Sequence, residues 1–288
     1  MKNILKTIAF LMIISLMTGC QKITTEGYTD ITYYPSITIL GDNPTIIMLG
    51  DTFTDLGVTV MEGETDITNK VITKGTVNSN KVGFYYVTYS AANIDGISKT
   101  ASRTVIVYDP SITKDISGNY EVVIDESYRL QFNNNAVIEY ADLGDLYGGS
   151  FIGFTVDLDL YLPGIFKVND LFGGYYFAGR KYDIRYQMGG YIALNSDNSI
   201  ELLESRSPGF GDGLDDLVEA EYDPDTDIIQ WGAEYIETYC FYVVLKKISG
   251  DDGDDGDDGD DGDDGDDGDD GDDGDDGDDG DDGDDEEE

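Results

Sequence analysis

Gly83-Phe84-Tyr85-Tyr86-Val87-Thr88-Tyr89 decides the fold class. In an extended chain successive side chains point to opposite sides, so Tyr85, Val87 and Tyr89 share one face. The stretch Arg103-Thr104-Val105-Ile106-Val107 repeats the pattern with Val105 and Val107, and Asn93-Ile94-Asp95-Gly96 between the two has hairpin chemistry. Outward from this pair, no segment after residue 20 keeps apolar residues at helical spacing. Alternation dominates, 21 Tyr and 11 Phe are present, and Gly, Asn and Asp interrupt at short intervals. The expectation is an all-β protein with a sandwich of short strands over residues 36–109.

A second β-rich body is expected over residues 115–249, an antiparallel sandwich or barrel-like domain. Its strands are indicated by Tyr120 to Ile124, Phe151 to Val156, Gly190 to Leu194, Ile228 to Trp231 and Phe241 to Leu245. Asn195-Ser196-Asp197-Asn198 and Asp223-Pro224-Asp225-Thr226 supply turn residues between strands. Trp231 and Cys240 lie in alternating apolar runs and are expected in the core, Cys240 as an inert thiol.

The two ends have different compositions. Lys2 and Lys6 precede an apolar run from Ile8 to Met17 broken only by Ser15, then small residues and Cys20. This is signal-peptide organisation over residues 1–20, with 21–35 as a linker, and the run is short of the about 20 residues a spanning helix needs. Leu16-Met17-Thr18-Gly19-Cys20 resembles the bacterial lipobox, with Met17 where Leu is usual. The resemblance implies acylation of Cys20 and a membrane anchor. At the other end, residues 250–288 repeat Asp-Asp-Gly and close with three Glu. These 27 acids without a base or an apolar side chain are expected to be disordered. Removing them takes the net charge of −44 to −17, and losing Lys2 and Lys6 leaves −19. A body this acidic is a poor partner for nucleic acid. The tail is expected to associate weakly with divalent cations, because a uniform three-residue period does not fold around one ion.

The order Gly50-Asp51-Thr52-Phe53-Thr54-Asp55-Leu56-Gly57-Val58, then Thr65-Asp66-Ile67-Thr68, Gly83 to Ala91 and Arg103 to Val107 resembles the bacterial immunoglobulin-like domain of surface proteins and some crystal toxins. The resemblance implies a spacer or presentation module without catalytic residues. Val168-Asn169-Asp170-Leu171-Phe172-Gly173-Gly174-Tyr175-Tyr176, Ser207-Pro208-Gly209-Phe210-Gly211-Asp212 and the Ile-Gln-Trp strand resemble the C-terminal domain of uncharacterised Bacteroidetes surface lipoproteins. That resemblance implies an outer-membrane location.

Histidine is absent, which removes Ser-His-Asp and Cys-His catalysis and imidazole metal sites. No phosphate-cradling loop or paired-cysteine zinc pattern occurs. Asp157 with Asp159, Asp223 with Asp225 and Asp227, and the loop acids Asp212, Asp215 and Asp216 read as strand-face or turn carboxylates. No enzyme activity, cofactor or metal is expected. Aromatics are the better clue: Tyr147, Tyr175, Tyr176, Tyr182, Tyr186 and Tyr191 crowd one region. Tyr175 and Tyr176 follow two glycines and are expected exposed in a loop. With Arg180 and Tyr182 they form the candidate ligand site, and Lys181 and Arg185 add positive charge in an acidic body. The expected role is non-catalytic glycan binding or assistance to outer-membrane uptake proteins, the alternative a structural or adhesive protein that binds another protein.

Overall fold

A computed structural model describes residues 31–248. The segment expected to be a signal peptide, Cys20 and the Asp-Asp-Gly tail lie outside the described residues, and among the described residues no helix is long and apolar enough to cross a membrane.

The first body contains β1 (Pro35–Ile39), β2 (Thr45–Met48), β3 (Val58–Glu62), β4 (Thr65–Asp66), β5 (Ile72–Lys74), β6 (Gly83–Ala92) and β7 (Ser98–Tyr108). They form two sheets, β1-β3-β4 and β2-β7-β6-β5, in which β2 runs parallel to β7 and the other pairings are antiparallel. Alternation places Val87, Tyr89 and Ala91 of β6 against Val58, Val60 and Ile67, and these six residues form the buried centre. Tyr85 is half-buried, its hydroxyl donating to the Lys81 carbonyl at 2.8 Å.

Arg103 is buried within this sandwich, 2% exposed. Its guanidinium donates to the carbonyls of Leu40 at 2.5 Å, Asp42 at 2.7 Å and Gly57 at 3.3 Å, and its Nε lies 3.3 Å from Asp55 Oδ1. Asp55 Oδ1 also accepts from the Tyr89 hydroxyl at 2.5 Å and the Gly57 N–H at 2.9 Å. A buried charge is tolerable only when paired and hydrogen-bonded. Arg103 thereby ties the last long strand to the connection between β1 and β2 and to the Asp55-Leu56-Gly57 turn.

The second body contains β8 (Gly118–Val122), β9 (Tyr128–Asn133), β10 (Ala136–Asp142), the short helix α1 (Leu143–Tyr147), β11 (Val156–Leu162), β12 (Ile165–Val168), β13 (Gly189–Leu194), β14 (Ile200–Arg206), β15 (Asp216–Asp223), β16 (Ile228–Tyr235) and β17 (Tyr239–Lys247). One antiparallel path runs β10-β9-β17-β8-β11-β12-β13-β14, and β16 joins β15 to β17. A Ser199–Glu221 bridge and a 2.9 Å bond from the Tyr222 N–H to the Asn198 carbonyl close the remaining gap. The result is a barrel-like wall of eight strands with the β9–β10 hairpin as a flap on β17. Trp231, Phe172, Phe166, Leu171, Tyr120 and Phe241 fill its interior.

The core placements of Trp231 and Cys240 agree with the sequence reading. Burial pushes the Cys240 thiol up to about 12. The strand expected over residues 151–156 is corrected: Gly148–Phe151 is a 3-10 turn and β11 begins at Val156. The segment after β7 carries Ile112 and Ile116 into the second core, and Gly164 makes room for Ile112, a Cβ there standing 3.0 Å from it. Phe84 packs on Tyr191 and Tyr161 with ring centres 5.0 and 6.2 Å away. The Tyr86 hydroxyl donates to Glu204 at 2.5 Å, and Lys81 pairs with Glu201 at 3.1 Å.

Candidate functional site

The candidate residues lie between β12 and β13, on a segment fixed by Asp170. This carboxylate is fully buried: Oδ1 accepts from the Phe172 and Met188 N–H groups at 3.1 Å each, and Oδ2 from the Gly174 N–H at 3.2 Å. Burial raises its pKa to about 6, opposed by those three bonds. Gly173 and Gly174 then turn the chain with φ of 58° and 81°. A Cβ would stand 2.6 Å from Val243 at the first and 2.5 Å from Phe154 at the second, so only glycine fits either position.

That turn explains a correction. Tyr175, expected to be exposed, is 2% exposed and packs its ring 5.0 Å from Phe241 and 5.8 Å from Tyr147. The glycines bend the backbone against the barrel, so the next residue points into the core. Residues Tyr175–Gly179 form one π-helical turn, with the Gly179 N–H donating to the Gly174 carbonyl and the Arg180 N–H to the Tyr175 carbonyl. Such turns recur at functional sites.

Beyond the turn the chain reaches the surface. Tyr176 is half-buried, with ring centres 4.9 Å from Phe210 and 5.6 Å from Tyr182. Tyr182 is 39% exposed, and the exposed Arg180 places its guanidinium carbon 5.7 Å from that ring's centre. The neighbouring Tyr147 and Tyr175 side chains raise the Arg180 pKa. The structure therefore brings Tyr176, Arg180 and Tyr182 together and sets Tyr175 beneath them.

Lys181 has a left-handed backbone, φ 58°, and its ammonium donates to the Ser150 carbonyl at 3.0 Å. This contact spans a groove of about 360 Å³ lined by Ser150, Ile152, Gly153, Phe154, Phe177, Ala178, Lys181 and Tyr182. Ile152 is 87% exposed on the rim. Sequence reasoning missed Phe154, Phe177 and Ile152 as groove residues. The available signal was the glycine frame Gly148-Gly149-Ser150-Phe151-Ile152-Gly153-Phe154, in which alternation was read as a strand.

Several of the ambiguous acids have structural partners. Asp157 holds the Asn169 amide at 3.0 Å, Asp212 accepts from the Tyr235 hydroxyl at 3.0 Å, and Asp215 accepts from the Glu237 N–H at 2.7 Å. Asp223 caps its own turn through the Asp225 N–H and the Thr226 hydroxyl. Among the described residues no group of three His, Cys, Asp or Glu could hold a metal ion. Tyr186 extends the aromatic row, 5.3 Å from Tyr182 and 5.0 Å from Phe210, whereas Tyr191 belongs to the contact with Phe84.

A family model described as a bacterial surface protein, Ig-like domain, matches residues 37–107, and one described as a C-terminal domain matches residues 109–247. The lipoprotein BT2262 from Bacteroides thetaiotaomicron is 32% identical over 74% of this chain and 100% of that one, with a TM-score of 0.39. The M60 catalytic domain with CBM51-1 and CBM51-2 from Clostridium perfringens ZmpB is 20% identical over 47% of this chain and 14% of that one. CBM51-2 in complex with GlcNAc and INT domains from the same protein is 22% identical over 47% and 29%. Both have a TM-score of 0.22, too low to bear on what this chain does. No curated protein matches the chain.

Proposed function

Because the chain belongs to the Bacteroides-type surface lipoproteins in which an immunoglobulin-like domain precedes a β-rich C-terminal domain, we propose that it is a non-catalytic glycan-binding or uptake-accessory protein of the cell envelope. Lipid on Cys20 would anchor it in the outer membrane, with the immunoglobulin-like body holding the barrel away from the bilayer. One observation carries the reading: an exposed tyrosine, Tyr182, shares an open groove with half-buried Phe154 and Phe177 and is flanked by Arg180 and Lys181. Aromatic faces receive the apolar C–H side of a sugar ring, and flanking cations and carbonyls bond its hydroxyls. Tyr176 and Tyr186 brace Tyr182, Phe210 packs on both of them, and Tyr175 supports Tyr176 with ring centres 5.0 Å apart. The absence of histidine supports binding over catalysis.

The test is retention of the purified chain in native gels containing soluble polysaccharides. Tyr182→Ala should weaken retention by about tenfold, equivalent to about 1.4 kcal/mol. Equal retention of parent and variant, or none with any polysaccharide, would count against this site.

The protein-binding alternative also has an observation behind it. β10 ends the described sheet path, and Val137, Ile138 and Tyr140 on it are all more than half exposed. An unpaired edge with apolar side chains is a template for another chain. Under that reading, Ile138→Lys removes cross-linking to a neighbouring envelope protein on intact cells and leaves polysaccharide retention unchanged.

A further inference from the structure

We infer that the polysaccharide held in this groove is anionic, with carboxylate or sulfate groups engaged by Arg180 and Lys181 beside the Tyr182 ring. This rests on the groove being a glycan site and names the class of glycan. The starting point is a charge anomaly. The chain has 61 acids and 17 bases, so a basic side chain should readily find a carboxylate. Among the described residues the ion pairs are Lys81–Glu201, Arg103–Asp55, Arg129–Glu139 and Arg185–Asp183. Arg180 and Lys181, adjacent in sequence and both exposed, appear in none of them.

Neutral groups neighbour these two cations. Lys181 Nζ donates to the Ser150 carbonyl at 3.0 Å, and the Arg180 guanidinium carbon lies 5.7 Å from the centre of the Tyr182 ring. Asp183, the carboxylate nearest in sequence, is occupied by the Arg185 N–H and Nε, both at 3.0 Å. Among the described residues neither cation has a carboxylate partner; Lys181 lines the groove, and Arg180 stands over Tyr182, which lines it too. The left-handed backbone at Lys181 is a further cost that surrounding structure must offset, and such strain concentrates at binding sites.

The groove walls are apolar where the cations are not. Phe154, Phe177 and Ile152 offer no charge, so a ligand would place its ring carbons against them and its anionic substituent toward Arg180 and Lys181. A guanidinium binds carboxylate or sulfate through two parallel N–H bonds, a geometry that neutral hydroxyls do not reproduce.

The experiment uses the purified full chain, with polygalacturonate, dextran sulfate and dextran as probes at one salt concentration. Arg180→Gln with Lys181→Gln is compared with the parent, so that the tail's 27 acids contribute equally to both. The expected result is retention by polygalacturonate or dextran sulfate at least tenfold stronger than by dextran. The double variant should lose that preference while keeping the native emission of Trp231. Retention by polygalacturonate alone assigns a carboxylate, and by dextran sulfate alone a sulfate ester. Equal binding of dextran, unchanged in the double variant, overturns the anionic assignment and leaves the glycan reading standing. Binding of none of the three overturns the assignment; extending the neutral set without success then removes the glycan reading as well.

Discussion

Replacing Asp170 with Asn should change how stability depends on pH, in a direction fixed by burial. The folded-state pKa of Asp170 is raised from an ordinary carboxylate value to about 6. Between roughly pH 4 and 6 the native state therefore keeps a proton that the unfolded chain has released. The stability this contributes is fully present below about pH 4 and is lost as pH rises through 6. Two pKa units correspond to about 3 kcal/mol. The substituted carboxamide would not titrate. It can keep the Phe172 and Met188 N–H bonds on its oxygen, but it turns an amide N–H₂ toward the Gly174 N–H, and one orphaned buried donor costs about 1–3 kcal/mol.

At pH 4 the Asp170→Asn variant should thus be about 2 kcal/mol less stable than the parent, and by pH 7 that gap should close or reverse. Urea unfolding followed by Trp231 emission is the assay. Trp231 is the only tryptophan, and its indole N–H donates to the Leu171 carbonyl at 2.9 Å, so it reports on the segment Asp170 anchors. Every other carboxylate is common to both proteins and cancels in the difference. A gap constant to within about 0.5 kcal/mol from pH 4 to 7 would refute the argument, because the carboxylate would then carry no desolvation penalty.

Other perturbations test separate parts of the molecule. Arg103→Met should cost about 3–5 kcal/mol in the first body, since it leaves Asp55 and three carbonyls without their partner, and calorimetry would register it as a lowered Tm. Gly174→Ala should destabilise the barrel by more than about 1 kcal/mol, because φ is 81° and the added methyl meets Phe154; an unchanged urea midpoint would contradict this. Cys240, its thiol pushed up to about 12, should resist a thiol reagent at pH 8 until denaturant is added. Rapid modification of the folded chain at that residue would contradict its burial. Tyr86→Phe should cost less than about 1 kcal/mol, because Glu204 is solvent-exposed and water replaces the lost donor.

Local pattern made much of the fold legible. The alternation in β6 and β7, the Asn93–Gly96 turn and the Asp223–Thr226 turn are encoded by neighbours in sequence, and each forms as read. Arg103 shows the limit of that logic. By alternation alone it is one more side chain on a strand, and its burial depends on carbonyls from Leu40, Asp42 and Gly57, far away in the chain. The closure of the barrel at Ser199 and Glu221 is similarly non-local. At the candidate site, Tyr176, Arg180 and Tyr182 were recognisable from composition, but Tyr175 was misplaced. Two glycines mark a sharp turn without saying toward which side, and that depends on whether Val243 and Phe154 leave room beneath it. The groove needed Phe154 and Phe177 brought together across 23 positions, a pairing no periodicity encodes.

The parallel pairing of β2 with β7 has a mechanical consequence. Tension that holds the amino-terminal side and draws on the barrel would pull β2 backward from Thr45 and β7 forward from Tyr108, in opposite senses along one axis. The ladder between them is then sheared, every rung strained together, whereas a hairpin tugged at its open end parts one rung at a time. Under the anchored, polymer-binding role proposed above, drag on the barrel would load the first body in this shearing geometry.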